Sequence, residues 1–263
     1  MGCLLVVYQP AIRNTDPGTS GWTTIEAGIQ WFNNTDGHRK YWDGVHIRVI
    51  LTTADTVPPA GGGNTVLTSG WETYEYTDGG IWSVGNGGPS VVNSVYHSGT
   101  VSMRTTASNN WLYGTFTAQS ELYARIYWRF ATSPPTSGET QFMFIRSGTG
   151  NTICAMGLYN DSGTNKWNVL YQDGTWQGWN PSGVCTGAST NTWYCIEMYA
   201  KPDTSNGTVQ AWINGTLLSD CVETGLNSGV TSGNRIELGQ KYSSYTVTEY
   251  ADDVVVSDST IGV

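Results

Sequence analysis

Long apolar runs are missing from this 263-residue chain. No window approaches the ~18 consecutive apolar residues of a membrane-spanning helix, so none is expected. Charge is scarce as well: Asp, Glu, Lys and Arg make up 13%, and 12 basic residues stand against 21 acidic ones. A net charge of −9 with no Lys/Arg cluster leaves a nucleic-acid partner unexpected. Ala, Leu, Glu and Lys are thin where Gly, Thr, Ser, Asn and Trp abound, which argues against a helical bundle. Three histidines and no Cys-x-x-Cys exclude an ordinary zinc site. The five cysteines (Cys3, Cys154, Cys185, Cys195, Cys221) are an odd number, in a chain too long to need a disulfide framework. Reduced, buried thiols are the favoured reading, with a Cys185–Cys195 bridge as the alternative in an oxidising compartment. The opening Met1-Gly-Cys-Leu-Leu-Val-Val lacks the basic stretch and the long apolar core of an export signal.

What is present is aromatic and turn-rich: 33 Gly, 12 Trp and 15 Tyr. That composition reads as an all-β protein, and an acidic, aromatic surface suits neutral sugars or cations better than polyanions. Residues 54–64, with adjacent prolines and three glycines, cannot continue a sheet and read as a linker. Residues 1–53 before it read as a small β-meander. Ile25, Ala27, Ile29 and Trp31 alternate with polar or small residues, and Asp36-Gly37 and Asp43-Gly44 supply turns. Residues 65–263 have the size of one sandwich and show many short strands. The cleanest runs over 121–130, with Leu122, Ala124, Ile126, Trp128 and Phe130 on a buried face and Tyr123, Arg125, Tyr127 and Arg129 on a wetter one. Further strands are expected near 100–106, 111–117, 141–146, 152–159, 166–172, 193–200, 207–213, 235–240 and 246–256.

Two resemblances follow. The run from Glu26 to Ile50, with its Asn-Asn-Thr-Asp-Gly turn, Arg-Lys-Tyr-Trp and second Asp-Gly, resembles a short module of tailed-bacteriophage fibre and decoration proteins. That resemblance implies attachment to capsid or tail proteins of a virion, and trimerisation. In the larger part, Trp193-Tyr-Cys-Ile-Glu-Met-Tyr-Ala-Lys, then Gly207-Thr-Val-Gln-Ala-Trp-Ile-Asn-Gly, then Tyr250-Ala-Asp-Asp-Val-Val-Val resembles a laminin-G/concanavalin A-like jelly roll. The implied fold is a two-sheet sandwich, an architecture shared by lectins, glucanases and polysaccharide lyases, so the fold leaves the chemistry open.

Catalytic residues are not expected. The Glu-x-Asp-x-x-Glu strand of laminarinase-type glucanases is absent, and Glu197 and Glu237 each stand alone on their strands. Relatives that are lyases hold a uronate with Arg and Gln beside a His or Tyr. The row Tyr123, Arg125, Tyr127, Arg129 could do part of this, but Gln141-Phe-Met-Phe carries no histidine. The same four residues are candidates for sugar binding, or simply the polar outer face of a central strand. Trp176 and Trp179 fall in Gly-flanked loop sequence and serve either to stack on sugar rings or to cover a sheet edge. No cofactor is required. The one candidate is a structural calcium at Asp252 or Asp253 with Glu72 and Glu75, and only one of the adjacent aspartates can point inward. The expected protein is a non-enzymatic virion surface subunit, a homotrimer assembled in host cytoplasm, with an outward domain open to glycans. A secreted or surface polysaccharide lyase, or a carbohydrate-binding module, is the alternative.

Overall fold

The computed structural model describes residues 65–178, 187–241 and 245–261, together with the backbone of four short strands before residue 51. The chain divides into two units, Met1–Val57 and Pro58–Val263. In the first, β1 (Ala11–Arg13), β2 (Gln30–Asn33), β3 (Arg39–Trp42) and β4 (Ile47–Ile50) form one sheet in that order. The antiparallel β2-β3-β4 run is the expected meander; the parallel pairing of β1 with β2 was not anticipated. Ile25 to Ile29 lie outside the described residues.

The second unit holds β5 (Thr65–Ser69), β6 (Ser83–Asn86), β7 (Ser90–Val92), β8 (Ser102–Thr105), β9 (Trp111–Gln119), β10 (Leu122–Phe130), β11 (Glu139–Ser147), β12 (Asn151–Asp161), β13 (Thr164–Asp173), β14 (Thr175–Gly178), β15 (Tyr194–Lys201), β16 (Gly207–Ile213), β17 (Thr216–Leu217), β18 (Glu223–Leu226), β19 (Gly233–Gly239) and β20 (Glu249–Ser257). They make an all-β jelly-roll sandwich of two antiparallel sheets. One sheet runs β17-β16-β15-β10-β20-β8-β7, with β18 paired to β16 and β5 to β20; the other runs β14-β13-β12-β11-β19-β9-β6. Every strand expected in this unit is present. The strands that escaped sequence reading (β5, β6, β7, β14, β17 and β18) have at most five residues, too few for a clear period.

Alternation places the core between the sheets. On β10, Leu122, Ala124, Ile126, Trp128 and Phe130 are all at most 1% exposed. Trp128 stacks on Phe142 of the facing sheet with ring centroids 3.8 Å apart, and Trp167 meets it edge-on at 6.1 Å. A second aromatic pair, Trp71 and Trp82, satisfies its indole N–H groups on the Tyr76 carbonyl and the Ser69 hydroxyl. Trp167 is fully buried in this core, and Tyr171 is half-buried against it. Cys154, Cys195 and Cys221 are free and buried; Cys3 and Cys185 lie outside the described residues.

The packing tolerates little addition where β12 crosses β11. A Cβ on Gly157 would lie 2.0 Å from the Thr140 carbonyl oxygen, beside an irregularity in the β11–β12 register. Gly157→Ala is expected to destabilise the fold by about 1–3 kcal/mol, because rigid backbone must move to admit one methyl. Urea unfolding checks this; an unchanged midpoint would mean that β11 shifts freely.

Candidate functional site

The outward face of β10 is drier than alternation alone predicts. Tyr123, Tyr127 and Arg129 are half-buried, but Arg125 is only 5% exposed. Its cross-strand partner Glu197 accepts a hydrogen bond from the backbone N–H of Ile261, itself 2% exposed. The chain after β20 thus folds back over the middle of this face. Arg125 is therefore covered and is not an open sugar ligand, which corrects the reading of a uniform polar row. Trp176 also differs from expectation: it sits in edge strand β14, paired with Gln172, rather than in a loop. Trp179 lies outside the described residues.

The four acids considered for calcium do not act together. Glu72, Asp252 and Asp253 border the same glycine, Gly70, whereas the Glu75 carboxylate takes a bond from Thr77. Asp252 accepts the N–H groups of His97, Ser98 and Asp253; Asp253 accepts from the Ser98 hydroxyl and contacts His97; Glu72 accepts from Thr100. These carboxylates fasten the 97–100 loop to the sheet through protein donors. Among the described residues, no three His, Cys, Asp or Glu side chains are grouped to hold a metal ion. Burial and the neighbouring Asp253 carboxylate push the Asp252 carboxyl up, against the pull of the three N–H donors.

The more capable site lies on the outer face of the other sheet. A cleft of about 610 Å³ is lined by Glu139, Gln141, Arg146, Gln172 and the turns at 150–152 and 228–229. Glu139 and Arg146 both sit on β11, seven residues apart, so the cleft runs lengthwise along that strand. Register creates its charged end. Arg146 pairs directly with Arg235 of β19, a repulsive cross-strand pair that needs a counter-charge. Glu237, with no exposure, supplies it: it accepts from Arg146 Nη1 at 3.1–3.2 Å, from Arg235 Nε at 2.7 Å and from Lys241 Nζ at 2.6 Å. Three cations on one carboxylate leave a surplus of positive charge on a chain whose net charge is −9. Aromatic rings hold the cations in place, with Arg235 stacked 3.7 Å over Tyr113 and Lys241 4.1 Å over Trp111.

Arg146 remains under-used. Its Nη2 donates to the Thr149 carbonyl, but its buried Nε has no hydrogen-bond partner. At the other end of the cleft, Gln141 and Asn168 donate to the two oxygens of Glu139, while the buried Oδ1 of Asn168 is unpaired. Unpaired buried groups of this kind call for water or a ligand oxygen. Sequence reading noticed Gln141 and Glu237 separately. The Arg235-x-Glu237 alternation was a visible signal of an outward charged pair, but the approach of Arg146 depends on sheet register.

A jelly-roll sandwich with a long polar cleft across one sheet is the class of protein that these observations define. Residues 66–259 match the family model for the Cip1-like core domain of the polysaccharide lyase-like group, and the chain belongs to that family. Among solved structures, the cellulose-induced protein Cip1 is 19% identical, covering 75% of this chain and 99% of its own, with a TM-score of 0.56. The carbohydrate esterase of the Shiga toxin-encoding bacteriophage phi24B is 15% identical, over 74% of this chain and 99% of that one, with a TM-score of 0.50. A sialidase is 12% identical over 86% of this chain, but only 21% of its own length, with a TM-score of 0.50. At these identities the likenesses establish the fold. No curated protein sequence matches the chain. The family match begins at residue 66, so the virion attachment expected from residues 26–50 rests on the sequence resemblance alone.

Proposed function

We propose that this protein binds an acidic polysaccharide, with the chain lying along β11 and a uronate carboxylate at the Arg146 end of the cleft. The observation that carries this reading is the sharing of Glu237 by Arg146, Arg235 and Lys241, which concentrates positive charge beside an open cleft in an acidic protein. An arginine fork suits a carboxylate, and the amides of Gln141 and Gln172 suit sugar hydroxyls. The cleft's length favours a polymer over a single sugar. Membership of a polysaccharide lyase-like family and the carbohydrate esterase named among the fold neighbours support a carbohydrate ligand. The alternative of a carbohydrate-binding or lyase domain thus fits better than a purely structural virion subunit. Virion display through residues 1–53 stands as a separate proposal, tested by light scattering for a trimer and by co-purification with particles.

Binding is preferred to cleavage because, among the described residues, the cleft lining includes neither a histidine nor a tyrosine. The test is affinity electrophoresis and calorimetry with polygalacturonate and alginate. Binding is expected to weaken with salt, and Arg146→Gln is expected to weaken it by about tenfold or more, as for a lost charge-assisted hydrogen bond. Absence of binding to both polymers would sink the reading. Steady growth of absorbance from unsaturated sugar ends would show that the domain cleaves as well as binds.

A further inference from the structure

A second constellation sits on the outer face of the opposite sheet, near the uncovered end of β10. Asp253 lies in the middle of β20 with a left-handed backbone (φ 48°), where the β10–β20 register slips between Arg125 and Tyr127. Such a bulge costs energy and re-aims side chains. Here it lets two successive aspartates reach one loop: Asp252 holds the loop's N–H groups, and Asp253 reaches the ring of His97, Nδ1 to Oδ2 2.8 Å. The imidazole is laid flat on Tyr127, with centroids 3.6 Å apart and planes 14° apart. Trp193, just before β15, meets His97 edge-on at 5.8 Å. Beyond Tyr127 on β10, Arg129 is oriented by Asn191 Oδ1 at 2.8 Å and lies over the Tyr250 ring. His97 and Asp253 keep 31% and 21% of their side-chain surface exposed, and Tyr127, Arg129 and Trp193 are all half-buried.

We propose that this patch is a second carbohydrate site, which takes a neutral sugar unit within a chain. The open face of His97, backed by Tyr127, and the Trp193 ring beside it provide an apolar platform of the kind that pyranose faces cover. Around it stand a donor fork (Arg129), an acceptor (Asp253) and the imidazole Nε2, a mixture that matches hydroxyls, which both donate and accept. The carboxylates of Glu72 and Asp253 nearby disfavour an acidic sugar, so this face and the Arg146 cleft select different charge classes. The patch is an open surface with no enclosing wall, which suits the middle of a chain rather than its end. The two sites occupy outer faces of opposite sheets, so one straight chain cannot lie along both. A protein holding both would tie a neutral chain to an acidic one, and several such contacts would add avidity.

Calorimetric titration of the full chain with cellohexaose, xylohexaose and mannohexaose tests this. At least one should bind with a high-micromolar to millimolar Kd and should still bind when a galacturonate oligomer is present in excess. Trp193→Ala is expected to weaken that binding by about five- to tenfold, the usual worth of a stacked ring. Arg129→Ala, a surface change that leaves the platform intact, should weaken it by a few fold, and melting curves verify that both variants are folded. Failure of all three hexaoses to bind would overturn the proposal. So would binding indifferent to both substitutions, or displaced by the galacturonate oligomer, which would place the sugar in the cleft.

Discussion

Glu237→Gln is expected to lower the melting temperature by about 10 °C, corresponding to roughly 3–5 kcal/mol for breaking a fully buried ion network in a domain of this size. The carboxylate is completely enclosed and neutralises two arginines and a lysine at once. A neutral amide removes the counter-charge and has one acceptor oxygen for donors that now use two. Arg146 and Arg235, paired directly across β11 and β19, would then repel each other with little solvent to screen them. The loss should persist in high salt, which separates it from the weakening of a surface ion pair. A shift below about 2 °C would show that the arginines find other partners, and the network would then be a poor explanation of the cleft's charge. The same variant is expected to reduce uronate binding, since the Arg146 fork loses its anchor.

Glu249→Gln should flatten the dependence of stability on pH and raise stability above pH 8. The Glu249 carboxyl is buried at the end of β20 with the Thr105 hydroxyl 3.1 Å from Oε1, and burial pushes its pKa up to about 8 from the ordinary 4.5. The folded protein therefore keeps a proton that the unfolded chain releases at lower pH. This group's contribution is complete below pH 4.5 and is lost as pH rises toward 8, the folded state binding the extra proton throughout that window. At 1.36 kcal/mol per unit, the loss between pH 5 and pH 8.5 is roughly 3–4 kcal/mol. A glutamine keeps the shape and the hydrogen-bonding oxygen without that loss. Urea unfolding of both proteins at the two pH values measures the difference; equal slopes would mean that Glu249 ionises normally. Asp252 is pushed the same way by burial, so the wild-type chain alone would not isolate Glu249.

Much of the fold was legible because strand alternation is a local signal. Residues 122–130 needed only their own order to declare which side chains go inside, and Trp128 and Phe130 followed. Short strands such as β17, two residues long, carry no period and exist because a neighbour pairs with them. The row on β10 shows the limit of the same logic. Alternation correctly separated Arg125 from the core side, yet could not foresee that it would be buried where the chain returns at residue 261 to its cross-strand partner Glu197.

Composition, alternation and turn chemistry determined an all-β chain with many short strands beyond residue 64, because those properties act between near neighbours; the two-sheet arrangement was implied only by the family resemblance. Function-bearing geometry was decided only by the tertiary structure. An overall charge of −9 pointed away from anionic ligands, but electrostatics at a cleft depends on which charges are brought within a few ångströms. Arg146, Arg235, Glu237 and Lys241 come together only through the pairing of β11 with β19 and the turn after it. His97 and Asp253, 156 positions apart, meet because the last strand lies between β10 and β8 and bulges there. Such contacts depend on register and chain return, which are long-range properties that a local reading of one sequence does not contain.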